Sequence, residues 1–187
     1  MPWSWIALGA FVLLVLLAVL GYNRLVRLRN EVDTGWANID VQLQRRGDLI
    51  PNLVEAVRGY AAHERSVFEE ITRARAALRE AATPGRAAEA NDVLSAALGR
   101  LFAVAEAYPE LRASENFLRL QDDLTDTEDK IAAARRYYNA TVLRFNTAIQ
   151  SLPWALVARA LGFRPREFFS AEGDTEAPQV AFPATRP

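Results

Sequence analysis

The chain's single histidine, His63, stands beside Glu64, with Glu70 seven residues beyond, and an imidazole near carboxylates is raw material for proton transfer. The pattern stops short of a metal site. His63-Glu64 lacks the second histidine of the HExxH arrangement, and the chain has no cysteine to supply thiolate ligands or a thiol nucleophile. His63 therefore reads as a solvent-facing residue. Glu64 is the odder one, because heptad spacing from Val57 to Ile71 puts it within an apolar stripe, where a buried carboxylate needs a partner such as an arginine on a facing helix.

A second polar pattern is more regular. Glu128 and Arg135 are seven apart, as are Asn139 and Asn146, and the four form a band beside the aromatic residues Tyr138 and Phe145. Asparagine at a half-buried helix position fixes register at a cost in stability. The functional alternative is a polar groove that binds a partner helix or peptide, and these four residues are the candidate interaction site. Asp122, Asp123 and Asp126 read as a solvated face. No nucleophile-base pair and no glycine-rich phosphate loop is present, so no catalytic residue, metal or cofactor is expected.

Helices must position these residues. Leu25, Leu28, Val32, Trp36, Ile39 and Leu43 recur three or four apart, which stacks them on one helical face. Gly47-Asp48 predicts a stop and a restart, with Asp48 capping a second helix that carries Pro51 in its first turn. That helix buries Ile50, Val54, Val57, Ala61, Phe68, Ile71 and Leu78, and Thr83-Pro84-Gly85 ends it. A third helix, from about Arg86 to Ala107, buries Val93, Leu94, Leu98, Leu101, Phe102 and Ala105. The fourth begins after Ser114 and stops before Pro153, with Phe117, Leu120, Leu124, Ile131, Ala134, Tyr138, Phe145 and Ile149 in heptad-like spacing. No alternating run suggests a strand. The expected fold is all-α: a membrane helix continuing into an antiparallel up-down-up-down four-helix bundle of long helices, plus a short C-terminal helix. The lengths strain it, since a second helix of about 33 residues, or ~50 Å, outruns the ~36 Å that follow the membrane in the first.

Residues 3–22 contain no charge, and Arg24, Arg27 and Arg29 follow them. About 20 apolar residues match a hydrocarbon core of roughly 30 Å, and Trp3, Trp5 and Tyr22 suit its boundaries. A cleaved signal would need a positive start, a shorter apolar run and a small-residue cleavage site. An uncleaved anchor fits better, and the positive-inside rule puts the N-terminus outside and the remainder in the cytoplasm of a bacterial inner membrane. Residues 1–22 are thus the anchor, 23–169 the bundle and 170–187 a flexible tail. A net charge of −1 gives no support for nucleic-acid binding.

Residues 153–169 carry Trp154, Phe163 and Phe168 with Arg159 and Arg164. Two readings stay open here: a short helix closing the end of the bundle, or an interfacial helix with these five residues on an anionic leaflet.

Arg45 to Glu64 (RRGDLIPNLVEAVRGYAAHE), Glu115 to Asn146 (ENFLRLQDDLTDTEDKIAAARRYYNATVLRFN), and Pro153 with Leu161-Gly162-Phe163 closely resemble the LemA family of bacterial membrane proteins. The ending APQVAF, residues 177–182, is similar to the family's Pro-x-Val-x-Phe ending. The resemblance implies one N-terminal membrane helix, a cytoplasmic helical bundle and no established catalysis; relatives tied to shaping internal bacterial membranes make scaffolding an expectation by analogy. The leading functional expectation is a non-enzymatic anchored scaffold whose partners are the bilayer, an unidentified protein and further copies of itself. The ending could dock Val180 and Phe182 in a partner's groove. A sensor passing a signal to a separate partner is the alternative, and an enzyme built on His63 is the weakest reading.

Overall fold

The computed structural model describes residues 2–170, without the side chains of Pro2 and Ser4. Six helices occur in the order α1 (Pro2–Arg58), α2 (Arg65–Glu80), α3 (Pro84–Glu106), α4 (Pro109–Arg112), α5 (Glu115–Gln150) and α6 (Trp154–Ala160). No strand occurs among the described residues.

α1 is one helix of 57 residues, ~86 Å long, running from the charge-free segment straight into the folded core. Its described side chains from Trp3 to Leu20 are exposed, so the segment is not covered by the other described residues and has the length and composition to cross a membrane. From Leu25 onward the three-and-four spacing buries one face: Leu25, Val32, Ile39, Leu43, Ile50, Leu53 and Val57.

The expected break at Gly47-Asp48 does not occur. A proline inside a helix leaves the carbonyl four residues back without a donor, and for Pro51 that residue is Gly47. Arg75 of α2 supplies the missing bond, its Nε donating to the Gly47 carbonyl at 2.7 Å, while Arg79 pairs with Asp48 at 3.3 Å. The chain turns instead at residues 59–64, just past Gly59, and Glu64 lies at the start of α2 rather than within a buried stripe, making no ion pair with a described residue. Replacing Arg75 with methionine should keep the packing but orphan the Gly47 carbonyl. We expect a loss of about 1–3 kcal/mol in chemical unfolding.

Moving the turn removes the length conflict, because residues 23–58 of α1 now number the same as the 36 residues of α5. These two run antiparallel: Glu31 meets Arg144, Gly35 meets Tyr138 and Arg45 meets Asp126. α2 and α3 form a hairpin, tied by Arg100 to Glu70 at 2.7 Å, that packs on the far half of the pair, beyond Trp36. Its core residues include Phe68, Ile71, Leu94, Leu98 and Leu101, whereas Val93 is exposed, contrary to its expected burial. The half nearer the charge-free segment is covered differently, by α6 and the chain that follows it.

Candidate functional site

Residues 163–170 form no regular element, yet they are held along α5 by a repeated bond pattern. The Asn146 side chain accepts from the Arg166 N–H at 2.8 Å and donates to the Arg166 carbonyl at 2.9 Å. Asn139 does the same for Phe169, at 2.9 and 3.2 Å. Each carboxamide thus satisfies both backbone groups of one residue, as a neighbouring β-strand would. Seven helical residues rise about 10.5 Å and three extended residues span about 10 Å, so the heptad spacing of the asparagines matches residues 166 and 169 of an extended chain.

Other contacts fasten this strap. Tyr138 donates its hydroxyl to the Glu167 carbonyl at 2.8 Å, and Arg166 reaches Asp33 of α1 at 2.9 Å. The Glu167 carboxylate lies over Gly85 in the first turn of α3, where the helix dipole favours negative charge. Phe169 is buried against Trp36 with ring centres 6.4 Å apart, and Phe163 sits between Tyr22 and Phe145. Burial pushes the Tyr138 phenol up to about 12. A raised acid contributes stability below its unfolded value near 10 and loses it as the pH climbs through the folded value. Ultraviolet titration of the native protein should therefore show one of its five tyrosines ionising near pH 12, with strap contacts weakening across pH 10–12.

Glu128 does not share this groove. It lies about 27 Å from Asn146 along α5 and faces Arg46 of α1, with Nη2 to Oε2 at 2.6 Å. Arg46 is buried, donates to Asn91 and to Ser95 Oγ of α3 at 2.9 Å, and so joins α1, α3 and α5 at one level. Desolvation lowers its pKa, with Glu128 and Asp92 opposing that effect. Nothing local in the Arg45-Arg46 pair marks the second arginine as the buried one. Arg135 is exposed and makes no ion pair with a described residue. The four-residue band is thus two separate devices, and the groove at Asn139 and Asn146 is filled by the chain's own strap.

The expected lipid-facing residues are also redistributed. Trp154 is half-buried on Gly21, where a Cβ would come within 2.6 Å of its ring, and Arg24 lies over that ring at 5.7 Å. Phe163 is half-buried beneath Arg29 at 5.8 Å, so both aromatics turn toward α1 because its glycine and arginines offer them a surface. Arg159, Arg164 and Phe168 are exposed. Gly21→Val should push α6 off α1, read as faster hydrogen exchange at residues 154–160 with the exchange of α3 unchanged. His63 is exposed in the 59–64 turn, and Glu70 is engaged by Arg100. The Pro-x-Val-x-Phe ending and most of the expected tail lie outside the described residues.

Comparison with known proteins matches residues 35–182 to the model of the LemA family. The magnetosome protein MamQ of Magnetospirillum gryphiswaldense is 30% identical over 207 residues, covering 95% of this chain and 75% of that protein. Magnetosome protein MamQ 2 of Paramagnetospirillum magneticum is 30% identical over 182 residues, covering 82% and 67% respectively. The protein LemA of Metamycoplasma hominis is 28% identical over 153 residues, covering 80% and 68%.

Proposed function

This chain belongs to the LemA family, and from that premise we propose that it is a non-catalytic, membrane-anchored helical scaffold, presenting its bundle to protein partners at the membrane surface. The observation that carries this reading is the continuity of α1, which makes the apolar span and the longest core helix one rigid piece. Such a helix ties the orientation of a binding surface to that of the span. Of the polar residues singled out in the sequence, Asn139 and Asn146 hold the strap, Glu128 pairs with Arg46 and Glu70 with Arg100, while His63, Glu64 and Arg135 make no ion pair with a described residue. Relatives named as magnetosome proteins support a place in the organisation of internal membranes, by analogy.

In this reading the N-terminus faces outward and the bundle is cytoplasmic in a bacterial inner membrane, following Arg24, Arg27 and Arg29 just after the span. A protease site fused at each end should be cut from outside only at the N-terminus. For the scaffold itself, photo-crosslinkers at exposed Val41, Val93 and Tyr137 of the full chain in bacterial membranes should each be analysed by mass spectrometry. Recurrent adducts with a defined protein, or with a second copy, are expected; a chain that yields none at any of the three positions is not a scaffold.

A further inference from the structure

α6 packs against α1 at Gly21, one residue short of the end of the charge-free run, so it stands beside the point where α1 leaves the span. Its inner face is Trp154, Val157 and the buried Ala158. Among the described residues nothing covers Leu156 on its outer side, 66% exposed, or the flanking Leu152 and Leu161, 76% and 54% exposed. Three exposed leucines within ten residues are costly in water, and in the anchor reading their level is that of a bilayer surface.

The charge around them is one-sided. Residues 21–30 and 151–165 together hold five arginines and no acid, in a chain whose overall charge is −1. Arg24 and Arg29 are propped on the inward aromatics Trp154 and Phe163, while Arg159 and Arg164 are free to reach outward. Apolar side chains ringed by arginines at this level suit anionic phospholipid, with headgroups on the guanidiniums and acyl chains around the leucines.

We infer that α6 is a second membrane-contact site, inserting Leu152, Leu156 and Leu161 into the anionic leaflet from which α1 emerges. The occupant is lipid rather than protein because α1 itself delivers this face to the headgroup level. The residues that enter differ from the aromatics singled out in the sequence, since Trp154 and Phe163 serve as the joint to α1. This inference rests on the anchor reading of residues 3–22, and its test separates the two.

The chain has no cysteine, so single labels are clean. Full-length Leu14→Cys, Leu156→Cys and Leu118→Cys would carry nitroxides in vesicles of phosphatidylcholine and phosphatidylglycerol; Leu118 is an exposed position near the far end of α5. Position 156 should resemble position 14, with oxygen accessibility several-fold higher relative to a water-soluble nickel chelate than at 118. If 14 reads as lipid while 156 resembles 118, or is shielded from both reagents by protein, this site is wrong and the anchor stands. If 14 itself resembles 118, the anchor reading has failed. Unlabelled Leu152→Ser/Leu156→Ser/Leu161→Ser protein gives an independent measure: tryptic cleavage after Arg159 in the same vesicles should become several-fold faster than in the parent. Equal rates would overturn the proposal.

Discussion

Glu128→Ala should destabilise the folded chain by about 2 kcal/mol, well above the ~0–1 kcal/mol usual for a half-exposed ion pair. The reason lies with its partner. Arg46's side chain is 6% exposed and Glu128's 49%, so the carboxylate retains much of its hydration while the guanidinium has little. Arg46 Nε is buried without a described partner, which adds to the cost of keeping that charge inside. Removing Glu128 leaves a buried cation hydrogen-bonded only to neutral groups, Asn91 and Ser95, with Asp92 as the remaining nearby carboxylate. Arg46→Met should cost less than Arg46→Ala, because it fills the volume and removes the buried charge together. A double-mutant cycle measured by chemical unfolding decides the matter: in the Arg46→Met background, Glu128→Ala should cost almost nothing. An equal loss in both backgrounds would show that the pair is not the source.

The second large effect is local. Replacing both Asn139 and Asn146 with alanine removes four hydrogen bonds from Arg166 and Phe169, together worth about 2–6 kcal/mol of strap attachment. Each 1.4 kcal/mol is tenfold in the opening equilibrium, so exchange at residues 163–169 should quicken by more than about tenfold while the core of α2 and α3 keeps its protection. Asn139→Asp keeps an acceptor for the Phe169 N–H but loses the donor to its carbonyl, and should fall between parent and alanine. Undiminished protection in the double variant would mean that Phe163 and Phe169, through their packing, hold the strap unaided.

These two sites differ in how far the sequence reveals them. The heptad repeat of asparagines beside Tyr138 and Phe145 is visible in the chain, as are the bounds of α3 and α5, because helical periodicity and the prolines at 84, 109 and 153 are local signals. What the asparagines hold is invisible, since residues 163–169 interleave aromatics with arginines and imitate an amphipathic helix. Pro165, which cannot donate a backbone bond, was the available hint. Gly47-Asp48 carries the local signature of a helix end, yet its remedy comes from Arg75, 28 residues away, and no local pattern announces that. Gly59 carried the true signal, masked by the helix-forming alanines after it. Arg46 is legible only once α3 and α5 stand across from α1.

α1 also behaves as a lever with no joint at the membrane surface. About 54 Å of it lies beyond Tyr22, so a change of roughly 10° in the tilt of the span sweeps Arg58 sideways by about 9 Å. A local thinning of the bilayer, or a change in its curvature, would be delivered at the far end as displacement large enough to break or make a protein contact. In the anchored reading, the helix that holds the bundle in place would thus also carry the tilt of its span to the bundle's far end.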